Sequence, residues 1–371
     1  MAPRPFDFQK LLRDVFETTG SERFGILVDE PAGPWLDRPG WKERREMAEE
    51  WRARLEALSY PVLPPISFAA TGAHNADLPE EVEQHGIPRD LDVVLDECDI
   101  LLAMTEFSAT APLAMRLARH PKLRVASMPG VSKRMEQSAL AADYHQVRER
   151  VRLLRRLLDA SQGARVHFES GHEVYFDLRH RQAKGDEGHC PPGVADKRLI
   201  NLPSGEAFKV PYEGEVAFRP SGTIGVAPVM VGDDVAQFFI EFNRVVDVAG
   251  SGPLADYYQA LFAEDDARRN VAEFGLGCND AALVSGNALE DEKAGFHWAF
   301  GRSDHWGGTV GPSRFKSAAT VLHQDLVYAP NSPIKAQRID LTLENGENLV
   351  ILDGDKYQYP TTLRMRELGL A

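Results

Sequence analysis

His323 and Asp325 stand two residues apart in Val321-Leu322-His323-Gln324-Asp325-Leu326-Val327, a stretch that reads as a β-strand. Residues two apart in a strand project from one face, so the imidazole and the carboxylate point together, with Leu322 and Leu326 on the other face. A nitrogen and an oxygen donor converging in this way can chelate one divalent ion. The competing reading is a polar pair facing water. Upstream, Glu292 ends the acidic run Glu290-Asp291-Glu292, and His297 lies in the apolar strand Phe296-His297-Trp298-Ala299-Phe300. Taken singly, the first reads as a hydrated turn and the second as a core histidine. Taken together they gain weight, because a buried histidine and a buried carboxylate both need partners. A shared cation satisfies both.

The elements that must position these groups fall into two textures. Over residues 1–160, apolar runs alternate with helical patterns. Phe24–Val28, Val62–Phe68, Asp99–Met104 and Leu123–Met128 read as strands, and Gly40–Leu58 and Ser108–Arg119 as helices. This alternation predicts an α/β N-terminal domain with a parallel sheet. No G-x-G-x-x-G follows any of these strands, so a dinucleotide site is not indicated. Ala139–Ala160 reads as one long helix leading to a boundary near residue 160. Residues 161–371 predict a strand-rich α+β domain that carries the metal-binding, catalytic residues. Ala164–Glu169 and Glu173–Leu178 flank a hairpin turn there. Helices are expected around Asp233–Asn243 and over Gly252–Glu273.

Composition excludes several classes of function. The 371 residues carry a formal net charge of −14, which argues against nucleic acid and anionic lipid, since both need clustered Lys and Arg. The basic run Arg148–Leu157 sets Val151, Leu154 and Leu158 at helical spacing, as in an amphipathic helix with a solvated basic face. Cys98, Cys190 and Cys278 are odd in number and far apart, so neither a disulfide framework nor a zinc knuckle is expected. No stretch approaches the ~20 apolar residues of a membrane span. A cytoplasmic location is expected.

The order of motifs resembles the aminopeptidase T family of metallopeptidases, which includes a ring-cleaving branch, the 2,5-dihydroxypyridine dioxygenases. The matching stretches are Asn201-Leu202-Pro203-Ser204-Gly205-Glu206, Ala272–Asn279, Leu289–Lys293 with His297, and His323-Gln324-Asp325. Arg124–Gly130 is similar too. The resemblance implies a pair of zinc-, cobalt- or manganese-like ions held by Glu206, Glu273, Glu292, His297, His323 and Asp325. Four carboxylates then offset two dications, and Glu206 or Glu273 could instead move the proton. It further implies a short-peptide or small-molecule substrate and a homodimer.

Three positions depart from the pattern. The peptidases carry a tyrosine soon after the histidine of the E-x-x-x-x-H segment, whereas this chain has Asp304 and His305 in that neighbourhood. Arg302 or His305 could replace the phenol as an oxyanion donor. The dioxygenase branch implies one Fe(II) on two histidines and a carboxylate. One of those histidines is expected where this chain has Asn270, and a histidine common in relatives falls at Ala111. His167, His172, His180 and His189 lack chelating spacing and read as solvated.

Overall fold

The computed structural model describes residues 5–33 and 37–370. The chain divides into two units. The first comprises Met1–Arg148, Asp186–Gly205 and Asn279–Glu290, and the second Glu149–Gly185, Glu206–Cys278 and Asp291–Ala371. A single break at residue 160 therefore differs from this division, because the chain returns to the first unit twice. One return supplies the strand Leu199–Asn201, which extends that unit's own sheet beside Arg124–Ser127.

The sheet of the first unit has seven strands. Five are parallel, in the order Leu199–Asn201, Arg124–Ser127, Ile100–Met104, Phe24–Glu30, Ile66–Ala69. Ile100–Met104 is buried throughout and Phe24–Glu30 nearly so, the pattern of strands covered on both faces. The long charged helix forms over Pro39–Ala57. The helix expected over Ser108–Arg119 is shorter, Thr110–Arg116. Ala139–Ala160 is not one helix. A 3-10 turn at Ala139–Ala141 precedes the helix Tyr144–Asp159, whose start is set by Asp143 accepting from the amides of His145 and Gln146.

The second unit pairs an eight-stranded antiparallel sheet with a five-stranded one. The expected hairpin is present as Ser161–Phe168 and Glu173–Asp177. The helix expected around Asp233–Asn243 is a strand, Asp234–Glu241. Its reason lies in the period of two that buries Ala236, Phe238 and Ile240. The next helix also stops early, at Glu264, where Asp265 caps a 3-10 turn, and the chain becomes the fully buried strand Val271–Gly277. Glu273 therefore sits within a strand and not at a helix end. Aromatic rings join the two sheets: Phe176 lies 5.2 Å from Phe274 and Phe238 lies 6.1 Å from Trp298, centroid to centroid. Among the described residues no helix is long and apolar enough to cross a membrane.

Candidate metal centre

The five-stranded sheet runs in the order His323–Val327, Phe296–Gly301, Val271–Gly277, Glu206–Lys209, Lys184–Asp186. Its register aligns Glu273 with Ala299 and Ala299 with Asp325, in one rank across three strands. Gly275 pairs with His297, Gly277 with Glu206, and Gly301 with His323. Phe274, Phe296 and Trp298 turn toward the aromatic core. Alternation therefore sends Glu206, Glu273, His297, His323 and Asp325 together to the opposite face.

Small residues make the room. A Cβ at Gly275 would lie 2.0 Å from His297 Nε2, so the imidazole lies directly over this glycine. On that face two groups of donors come within 4.8 Å of one another: Glu206, Glu273 and His297, and Glu273, His323 and Asp325. Glu273 belongs to both. His297 Nε2 is 3.4 Å from Glu206 Oε2 and 3.4 Å from Glu273 Oε1. His323 Nε2 is 3.3 Å from Glu273 Oε2 and 3.6 Å from Asp325 Oδ1. Ligands at ~2.1 Å from a tetrahedral ion stand about 3.4 Å apart, so these separations suit donors around a cation.

Both rings are fixed from behind. His297 Nδ1 lies 3.2 Å from the Gly295 carbonyl, and His323 Nδ1 2.7 Å from the Arg302 carbonyl. A carbonyl only accepts, so each Nδ1 carries hydrogen and each neutral ring turns the lone pair of Nε2 toward carboxylate oxygens. His297 Nε2 is buried with no hydrogen-bond partner among the described residues. Lone pairs facing carboxylates in a buried site require a positive charge between them, a proton or a metal ion. The donor set fits a divalent metal, with the outer hydrogen bonds that orient metal-binding histidines.

The electrostatics agree. Burial opposes charge on His297, but Glu273 and Glu206 outweigh it and raise the imidazole to about 9. Burial likewise opposes charge on His323, and Asp325 and Glu273 raise it well above its ordinary value. Burial also works against ionisation of Glu273, yet the two imidazoles hold its carboxyl well below the usual range. With no metal bound, protons take the cation's place.

Glu292 stands apart from the other expected ligands. It joins neither donor group, and its Oε1 lies 2.5 Å from Lys293 Nζ. Burial, reinforced by the charge of Glu206, raises Glu292 to about 8. The same Lys293 Nζ is 2.6 Å from Glu206 Oε1, and this lysine is fully buried. The acidic run around it is not a hydrated turn: Glu290 and Asp291 are buried as well.

His305 stands at the rim. Its ring centroid is 5.2 Å from that of His323, nearly perpendicular to it, and Arg302 and Asp304 form an ion pair beside it. Burial, then the proximity of His323, lowers His305 to about 4. Asn270 serves the scaffold. Its Nδ2 donates to Glu213 and to the Gly301 carbonyl, and its Oδ1 accepts from Asn243. None of His167, His172, His180 and His189 joins a donor group. His189 is not solvated but buried against Glu17 at 2.7 Å. The three cysteines are buried, and burial pushes the Cys98 and Cys190 thiols up to about 12.

The sequence reading missed Lys293 and Gly275. A lysine after three acids looks like a surface ion pair, and no local signal marks it as buried. Gly275 was findable in principle, since a glycine inside a strand often marks the close approach of another group.

Comparison with known proteins places the chain near a family of metalloproteases. Residues 131–310 match the family described as thermophilic metalloprotease (M29). The match spans Glu206, Glu273, Glu292, His297 and His305, whereas His323 and Asp325 lie beyond it. No curated protein sequence matches the chain. Two solved structures share its fold along nearly the whole length. One is 2,5-dihydroxypyridine dioxygenase from Pseudomonas putida KT2440, at 16% identity and TM-score 0.55, covering 95% of this chain and 96% of the other. The other is wild-type AmpT from Thermus thermophilus, at 13% identity and TM-score 0.53, covering 94% and 97%. The match supports a metal-dependent hydrolase, and over residues 131–310 the chain is similar to the thermophilic metalloproteases (M29) that its motifs resemble.

Proposed function

We propose that the protein is a metal-dependent hydrolase of an amide or peptide bond, aminopeptidase-like in its site. The observation that carries this reading is the sharing of Glu273 between two donor groups, an arrangement suited to two neighbouring ions bridged by one carboxylate. Two divalent ions at such a site polarise an amide carbonyl and supply hydroxide near neutral pH.

The residues divide the remaining work. Glu206, Glu273 and His297 would hold one zinc-, cobalt- or manganese-like ion, and Glu273, His323 and Asp325 the other. Glu273, with an oxygen toward each group, is then a ligand and not the base. Glu292 lies outside both groups with a raised pKa, and is the carboxylate best suited to carry a proton from water to the leaving amine. His305, neutral at pH 7, would donate from the rim to a developing oxyanion in place of a phenol. The substrate proposed is a short peptide or other small amide, acted on by a cytoplasmic homodimer.

A second reading is a mononuclear Fe(II) ring-cleaving dioxygenase. The perpendicular rings of His305 and His323 beside Asp325 favour it, as two imidazoles and a carboxylate are the ligands such iron takes. Anaerobic purification with metal analysis separates the two. The hydrolase predicts two ions per chain and release of free amino acid from a dipeptide under nitrogen. One iron per chain, with oxygen consumed on adding a dihydroxypyridine, would overturn it.

A further inference from the structure

Lys293 places a charge of the wrong sign for a metal site directly against two of the carboxylates. Its Nζ lies 2.6 Å from Glu206 Oε1 and 2.5 Å from Glu292 Oε1, and its side chain is fully buried. The other oxygen of Glu206 is the one that faces His297. The Glu273, His323 and Asp325 group has no such neighbour: its carboxylates face only imidazoles among the ion pairs of the described residues.

We infer that Lys293 is a positioning residue that makes the two ion sites unequal. The inference rests on the two-ion reading above. Lys293 acts in two ways. It occupies Glu206 Oε1 and so restricts Glu206 to a single oxygen toward the ion beside His297. It also draws Glu292 away from the donor group and holds it as a separate carboxylate. A positive charge one carboxylate away from a dication, without water between, repels it far more than a surface lysine does. The ion beside His323 and Asp325 therefore binds first and more tightly. The ion beside His297 is the exchangeable one.

Titration of the metal-free, full-length protein with Zn(II) or Co(II), followed by calorimetry, tests this without reference to activity. The wild type is expected to fill in two steps separated by at least about tenfold in affinity. In Lys293→Met the weaker step tightens by about tenfold or more and the stronger one stays. Lys293→Arg keeps the charge and keeps the steps apart. Should Lys293→Met fail to fold without metal, Lys293→Met combined with Glu292→Gln removes one charge of each sign and carries the same comparison. Two steps unchanged in the methionine variant overturn the role of Lys293 and leave the two-ion reading standing. Uptake of a single ion by wild type and variant alike overturns both.

Discussion

The two faces of the five-stranded sheet are built from the same strands and obey opposite rules. On the inner face Phe274, Phe296 and Trp298 fill space against the eight-stranded sheet, and contact with other rings is what holds them. On the outer face the register brings Glu206, Glu273, His297, His323 and Asp325 together, and Gly275 leaves space for the His297 ring. One face is stabilised by being full. The other gathers carboxylates and imidazoles that need a positive charge between them. Substitutions on the two faces should therefore separate stability from ion binding.

Glu273→Gln makes the sharpest break. Glu273 alone belongs to both donor groups, so a neutral amide of the same shape should empty both sites. Hydrolysis should fall by roughly a thousandfold or more, since both Lewis-acid functions are lost. Metal content by elemental analysis should drop toward zero, while circular dichroism stays that of the wild type. Retention of two ions in Glu273→Gln would remove the bridging role. The converse break is Phe238→Ala. Phe238 is fully buried and touches Trp298, Phe300, Tyr258 and Phe262. Loss of its ring should cost about 3–5 kcal/mol of stability by denaturant titration. Ion stoichiometry of the folded protein should not change; its loss would show that the two faces are not separable.

This division into faces was partly legible in the sequence. Phe296-His297-Trp298-Ala299-Phe300 and His323-Gln324-Asp325 carry the period of two on their surface, and the strands follow from it. The parallel sheet was equally legible, because Phe24–Val28 and Ile100–Leu102 are apolar runs with no polar face. What the sequence hid depends on long-range pairing. Glu273 lies in Ala272–Gly277, where alternation is blurred by Gly275 and Gly277, and the helix before it continues smoothly into the pattern until Asp265 caps a turn. Asp234–Glu241 mixes strand and helix periods, and only its neighbours in the sheet decide. Lys293 shows the same limit for the site itself. Its burial follows from where Glu206 lies, 87 residues earlier.

Gly275→Ala sharpens the comparison at a single methyl group. A methyl here meets His297 Nε2 at 2.0 Å, a ligand atom and not a packing ring. The imidazole must move while Nδ1 is held at the Gly295 carbonyl. The ion beside His297 should lose affinity by roughly 10- to 100-fold, the range seen when ligand orientation is disturbed. The ion beside His323 should be unaffected. Spectroscopy of the Co(II)-substituted protein can follow the two sites separately, and equal weakening of both would contradict the assignment of His297 to one group.

The smallest effect is also graded, through pH. His297 is raised from 6.5 to about 9, and His323 is raised as well, because carboxylates surround them. In the metal-free protein a raised imidazole contributes stability that is complete below its unfolded value and is lost as pH climbs through its folded one. Metal-free protein should therefore lose thermal stability between pH 6.5 and about 9. Glu292, raised from 4.5 to about 8, acts in the same direction at lower pH. Zn(II) should reverse the trend. Each imidazole must release its proton to bind, so apparent affinity should rise by about tenfold per pH unit for each proton displaced, up to pH ~9. Melting curves with chelator and with excess Zn(II), over pH 6 to 9, should thus diverge as pH rises. On the inner face burial lowers Lys209, in register with Phe274, to about 8, but it contacts none of the expected ligands and should act alike in both curves, leaving their divergence unchanged. If the chelated protein grew more stable toward pH 9, the protons would not be standing in for an ion, and the outer face would be an ordinary buried ion-pair network.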